Sequence, residues 1–311
     1  MVNVKTRVCS RKKHRPITLF TFMREVIDQL QTLGRFRTSE TYASTLKSIQ
    51  VFRQGQDLYL DEITSDLMMG YEAYLKQRGL TRNSSSFYMR ILRAVYNRAV
   101  EKAWVEQTFP FKHVYTGIDK TIKRAIPLSL IKKIKCLKLG NQPKLQFARD
   151  VFLFSFYTRG MSFVDMAYLR KTDLKYGILS YRRRKTGQVL YVKWEACMQQ
   201  IMEHYSNPQS VYLLPLIDEG NGELRIQYKR NQSLINGCLK QVGELVGCPI
   251  PLTLYVARHS WASIAKDKNI PVAVISEGMG HDSLLTTQIY LASLDNSMVD
   301  KANALILNDL K

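Results

Sequence analysis

Residues 253–262 read Thr-Leu-Tyr-Val-Ala-Arg-His-Ser-Trp-Ala, and residues 278–290 read Gly-Met-Gly-His-Asp-Ser-Leu-Leu-Thr-Thr-Gln-Ile-Tyr. Arg258, His281, Thr287 and Tyr290 therefore follow one another in order, with Tyr290 nine positions after His281. A guanidinium can clamp an oxyanion, and nearby positive charge favours the phenolate form of a tyrosine, so the segment pairs an anion-binding group with a possible nucleophile. The spacing between Ala262 and Pro271 is helix-like, which places the two halves on consecutive elements.

The rest of the chain gives these residues a setting. Across 311 residues, 46 Lys plus Arg face 26 Asp plus Glu, a net charge of +20 spread along the whole length. Such a field is suited to an anionic polymer, and nucleic acid is the expected partner. Cys9, Cys136, Cys197, Cys238 and Cys248 show no paired or metal-ligand spacing, so neither a disulfide framework nor a metal site is expected. No stretch approaches the length of an apolar membrane span, and the basic N-terminus is not followed by a signal-like apolar run. The expected location is a reducing bacterial cytoplasm, associated with the nucleoid, with no membrane contact.

Helical periodicity dominates. Phe22, Val26, Leu30 and Leu33 form one apolar stripe ending at Gly34, and Tyr42, Leu46, Ile49 and Phe52 form a second. A third segment starts at Thr64, a good N-cap, and runs through Leu67, Tyr71 and Leu75 to Gly79. The fourth, Asn83 to Ala103, buries Phe87, Ile91, Val95 and Ala99. Arg82, Arg90 and Arg93 then make a basic face suited to phosphates, though each alone reads equally well as a solvated charge. A polar stretch over 114–125, with Lys123 and Arg124, is the expected linker between a helical domain at 17–113 and a second domain at 126–311. In the second domain Ser129 is a candidate N-cap, and helices are expected at Leu145–Tyr157 and from Leu234 onward. Leu179, Tyr181, Val189 and Tyr191 alternate around Lys185-Thr186-Gly187, the pattern of a β-hairpin with a basic tip. The fold class is mainly α with a small sheet, α+β.

The boxed residues at 258–290 resemble the tyrosine recombinase (phage integrase) family, whose signature joins H-x-x-R-H to G-H-x-x-x-x-x-T-x-x-Y. The resemblance spans roughly Leu19 to Leu305. It implies a four-helix, SAM-like core-binding domain followed by a recombinase catalytic domain. It implies, too, that Tyr290 attacks a backbone phosphate to give a 3′-phosphotyrosine, with no metal and no cofactor. Arg258 would hold the non-bridging oxygens, His281 would assist at the phosphate or the nucleophile, and Lys185 would protonate the leaving 5′-oxygen. The helix expected at 296–311 would dock on a neighbouring protomer. The implied partner is double-stranded DNA with inverted or direct repeats, bound by a homotetramer that is a monomer or weak oligomer when free. The short stretch before Leu19 favours a simple recombinase without an arm-binding domain.

Two positions depart from the pattern. Ser162 stands where the first catalytic arginine belongs, and Arg159, three residues earlier on the same helix face or at its start, is the expected substitute, with Asp165 as buttress to Arg258. Tyr255 replaces the histidine of H-x-x-R, which shifts proton transfer toward His259 or His281, with His259 also a DNA contact. Both departures look like a subgroup tied to mobile elements and invertible DNA. A metal-dependent nuclease would need an acidic cluster that is not evident. A type IB topoisomerase would use the same residues. A DNA-binding regulator that lost catalysis predicts no covalent adduct.

Overall fold

The computed structural model describes residues 17–119, 124–281 and 287. Tyr290, Lys123 and the segment 296–311 lie outside them. The chain divides into two compact units between Thr121 and Ile122.

The first unit contains α1 (Leu19–Thr32), α2 (Phe36–Phe52), α3 (Ser65–Gln77) and α4 (Arg82–Glu101). Their apolar stripes meet in one core that includes Phe22, Met23, Ile49, Tyr71, Leu92 and Val95. Leu33 does not join it: the residue is the C-cap of α1 and is 63% exposed, because the chain turns away at Gly34 before the stripe completes another turn. Thr64 caps α3 by accepting from the Leu67 N–H at 3.2 Å, and Thr81 caps α4 by accepting from that of Ser84 at 3.3 Å.

Residues just after this core are held to it, not strung out as a linker. Tyr115 N–H donates to Glu72 at 2.8 Å, Ser86 Oγ donates to Gly117 O at 2.5 Å, and Asn83 exchanges two hydrogen bonds with the Asp119 backbone at 2.8 and 3.0 Å. Arg82 lies 3.7 Å from the centroid of the Tyr115 ring, and Arg93 donates to Thr116 Oγ1 at 2.9 Å. The side chains of α3 and α4 thus satisfy backbone groups that a polar, aperiodic sequence cannot pair by itself.

The second unit opens with α5 (Leu128–Cys136) and α6 (Pro143–Tyr157), followed by the short α7 (Phe163–Ala167). Pro127 occupies the N-cap of α5, so Ser129 is the second residue of the helix and not its cap. Strands β1 (Leu174–Lys175), β2 (Ile178–Arg182) and β3 (Val189–Lys193) form an antiparallel sheet in that order. After it come α8 (Ala196–His204), α9 (Leu224–Leu245), α10 (Leu254–Asp267) and α11 (Val272–Met279). α9 begins ten residues before the expected start at Leu234 because its first turns bury no apolar side chain; Ile235, Leu239 and Val242 carry the buried stripe. α6 is buried nearly all round, with Val151, Phe152 and Phe154 at 0% exposure, and packs against α8, α9 and α10.

The hairpin register differs from the expected alternation. Leu179 pairs with Val192 and Tyr181 with Leu190, and these four side chains face the core. Val189 and Tyr191 face solvent instead, at 37% and 64% exposure. A one-residue slip moves a strand's whole set of side chains to the other face, so burial of Leu190 and Val192 in the core of this unit selects this pairing.

Candidate active site

α10 carries Arg258 into the interior because its neighbours Ala257, Ser260 and Ala262 are small enough to be wholly buried. Opposite, the chain leaves α6 through Thr158 and takes left-handed φ angles at Arg159 (62°) and Gly160 (74°). A Cβ on Gly160 would lie 2.6 Å from Arg258 Cα, so only glycine allows this crossing. The approach lets Arg258 Nη1 donate to Gly160 O at 2.7 Å, while Nη2 donates to Met279 O at 2.7 Å.

Arg258 Nη2 also lies 3.0 Å from His281 Nε2, and His281 Nδ1 lies 2.7 Å from Oγ1 of the fully buried Thr287. A guanidinium can only donate, so Nε2 accepts and Nδ1 carries the proton toward Thr287. Burial first, then the charges of Arg258, Arg183 and Lys185, lower the His281 pKa to about 4. The imidazole is accordingly neutral in the unliganded protein.

Of the residues expected at the site, Arg258 and His281 are in direct contact. Lys185 is exposed in the turn between β2 and β3, close enough for its charge to act on His281. Arg159 is not on a helix with Ser162; it sits in the left-handed turn after α6, since Ser162 starts a new helix as N-cap of α7. Ser162 Oγ donates to Asp165 at 2.6 Å, and the other Asp165 oxygen accepts from the Arg184 N–H at 2.9 Å. Those two bonds tie α7 to the loop that bears Lys185. Tyr255 is 55% exposed, and its ring meets the buried His259 edge-on at 4.3 Å between centroids. Arg82 and Arg93 engage Tyr115 and Thr116 as described, Arg90 is partly buried and Arg124 is exposed.

Sequence reasoning passed over Arg183, which is only 7% exposed and donates through Nη1 to Gly280 O. The signal was available: Arg183 has the strand parity of Leu179 and Tyr181, which points inward. Tyr181 itself is held well above the usual phenol pKa by burial and then by the Asp165 carboxylate, with Arg258, Arg183 and Arg159 acting against them. In the same loop Thr186 Oγ1 and Gln188 Oε1 are buried without a hydrogen-bond partner among the described residues. Among those residues no group of His, Cys, Asp or Glu gathers as a metal-ligand set, and no helix is long and apolar enough to cross a membrane.

The arrangement is a cluster of donors and positive charge suited to an oxyanion, with a neutral imidazole among them. Comparison with known proteins agrees in character. Residues 18–114 match the phage integrase SAM-like domain. The chain is 23% identical over 295 residues to tyrosine recombinase XerA of Pyrococcus furiosus, covering 91% of this chain and 98% of that one. It is 21% identical to tyrosine recombinase XerC of a Roseiflexus species, over 86% and 87% of the two chains. Its fold superposes on lambda integrase residues 75–356, solved as a dimer on a core site, with TM-score 0.68, 15% identity and coverage of 88% and 95%. The relatives, matched along both units, are tyrosine recombinases and support a DNA breaking-and-rejoining enzyme, and the superposition shows the fold.

Proposed function

We propose that this chain is a site-specific recombinase that cuts and rejoins DNA strands through a 3′-phosphotyrosine at Tyr290, in DNA inversion or in the integration and excision of a mobile element. The observation that carries the reading is the hydrogen-bonded line from Arg258 through His281 to Thr287, beside the turn that bears Lys185. The phenolic oxygen of Tyr290 attacks phosphorus, and the bond from phosphorus to the 5′-oxygen breaks with its electron pair on that oxygen. Lys185 supplies the proton to it, and the same hydroxyl of a partner strand reverses the step at a new junction. Arg258 compensates the charge that builds on the non-bridging oxygens. His281, neutral beforehand, holds the phosphate or takes the phenolic proton once an anion offsets the surrounding cations. The substrate is duplex DNA carrying inverted or direct repeats, joined in a homotetramer.

The test is a nicked suicide duplex carrying the repeats beside the coding region, or a site selected by the protein from a random pool. An SDS-resistant protein–DNA adduct is expected, lost in Tyr290→Phe while DNA binding persists. Binding without any adduct from the wild-type chain would favour instead a regulator of the same fold, the reading that the uncharged Ser162 otherwise invites.

A further inference from the structure

A phosphodiester already carries one negative charge and gains more as a fifth ligand approaches phosphorus, so one guanidinium is poorly matched to it. Ser162, placed where a second would be expected, is spent on capping α7 and on Asp165. The β2–β3 loop supplies another candidate. Arg258 and Arg183 donate to the consecutive carbonyls of Met279 and Gly280, so both guanidiniums are held by the one turn that leads into His281. The turn is built for this closeness: Gly280 has φ 64°, and a Cβ there would lie 3.3 Å from Arg183 Cδ and 2.8 Å from Leu190 Cδ1.

Arg183 is as buried as Arg258, each at 7% exposure, yet among the described residues no carboxylate forms an ion pair with it. A buried cation without a counter-charge is costly unless an anion joins it. Its backbone is fixed on both sides, with Arg183 N–H donating to Gln188 O at 2.8 Å and Gly187 N–H to Arg183 O at 2.7 Å. The Arg183 charge acts on His281 together with those of Arg258 and Lys185, in keeping with its hydrogen bond to the carbonyl of the residue before it. Arg159, by contrast, lays its stem beside Gly278 on α11, where a Cβ would come within 3.6 Å of Arg159 Cδ and 3.2 Å of the Trp261 ring.

We propose that Arg183, not Arg159, supplies the second guanidinium that binds the scissile phosphate. The inference rests on the recombinase reading above and names a further catalytic residue for it. The experiment uses the full chain and two suicide duplexes that differ at one atom: an ordinary scissile phosphate, and a methylphosphonate in which a methyl group replaces one non-bridging oxygen. Removing that negative charge removes the need for one of the cations. Arg183→Ala is expected to lower the rate of adduct formation on the ordinary duplex by about 10²–10³-fold, and to recover most of it on the methylphosphonate, with melting temperature and DNA affinity near wild type. Arg183→Lys, which keeps the charge without the fork, is expected to fall between. Adduct formation by Arg183→Ala within twofold of wild type would overturn the assignment. Failure of a folded, DNA-binding Arg183→Ala on both duplexes would also overturn it, since that marks a residue that only shapes the turn, as would methylphosphonate rescue of Arg159→Ala alone. A wild-type chain that forms no adduct on either duplex would remove the recombinase reading itself.

Discussion

His281 concentrates the electrostatics of the site in one titration. Its folded pKa of about 4 lies below the ordinary 6.5, so as pH falls the unfolded chain takes the proton first. The stability tied to the neutral imidazole is complete above about pH 6.5 and is lost as the pH falls toward 4. Thermal melts are expected to show the gap between wild type and His281→Asn narrowing on acidification over that range; a gap independent of pH would show that the ring is not held neutral. Thr287→Val removes the acceptor for the Nδ1 proton, a loss of ~1 kcal/mol or roughly fivefold in adduct rate, and nitrogen NMR should report a changed tautomer balance. Gly160→Ala is more severe, because its Cβ would meet backbone of Arg258 at 2.6 Å at a φ of 74°. It should cost about 1–3 kcal/mol of stability and abolish the adduct, while a calorimetric scan unchanged from wild type would contradict the close crossing.

Among the elements, the hairpin sets where Lys185 and Arg183 are delivered, and its register can be read by substitution. Leu190 faces the core at 7% exposure while Tyr191 faces solvent at 64%. Leu190→Ala is expected to destabilise the protein by ~2–5 kcal/mol, and Tyr191→Ala by no more than about 0.5 kcal/mol. Denaturant midpoints in the reverse order would mean the slipped pairing. α7 shows how a missing charge can be a structural choice: Ser162 caps it and orients Asp165, which holds the backbone of Arg184. Ser162→Ala therefore removes an N-cap and frees the base of the hairpin loop at once.

Over the whole molecule, the net charge of +20 dominates long-range behaviour. If about six or more phosphates are neutralised on binding, affinity for duplex DNA should fall by ~10³-fold or more between about 50 and 200 mM salt. A filter-binding series with a shallow slope would show that the basic residues do not face the DNA. Part of that charge is already committed inside the first unit: Arg82 and Arg93 brace residues 115 and 116, so the outgoing chain starts from a fixed point.

Local spacing was enough for the four helices at 19–101, since each carries an apolar stripe of helical period and two carry Thr caps. The resemblance to the recombinase signature, carried by the order of Arg258, His281, Thr287 and Tyr290, put Arg258 and His281 in one site, and they are in contact. Leu33, Ser129, the start of α9 and the hairpin register were decided elsewhere, because each depends on which neighbour covers a side chain and not on the residue itself. The same holds for Arg159 and Arg183. Sequence counting finds Arg159 near the position that Ser162 occupies, whereas burial against the Gly280 turn, 97 residues further along the chain, ties Arg183 to the residue before His281. Such long-range packing leaves no periodic trace, and only the folded chain reveals it.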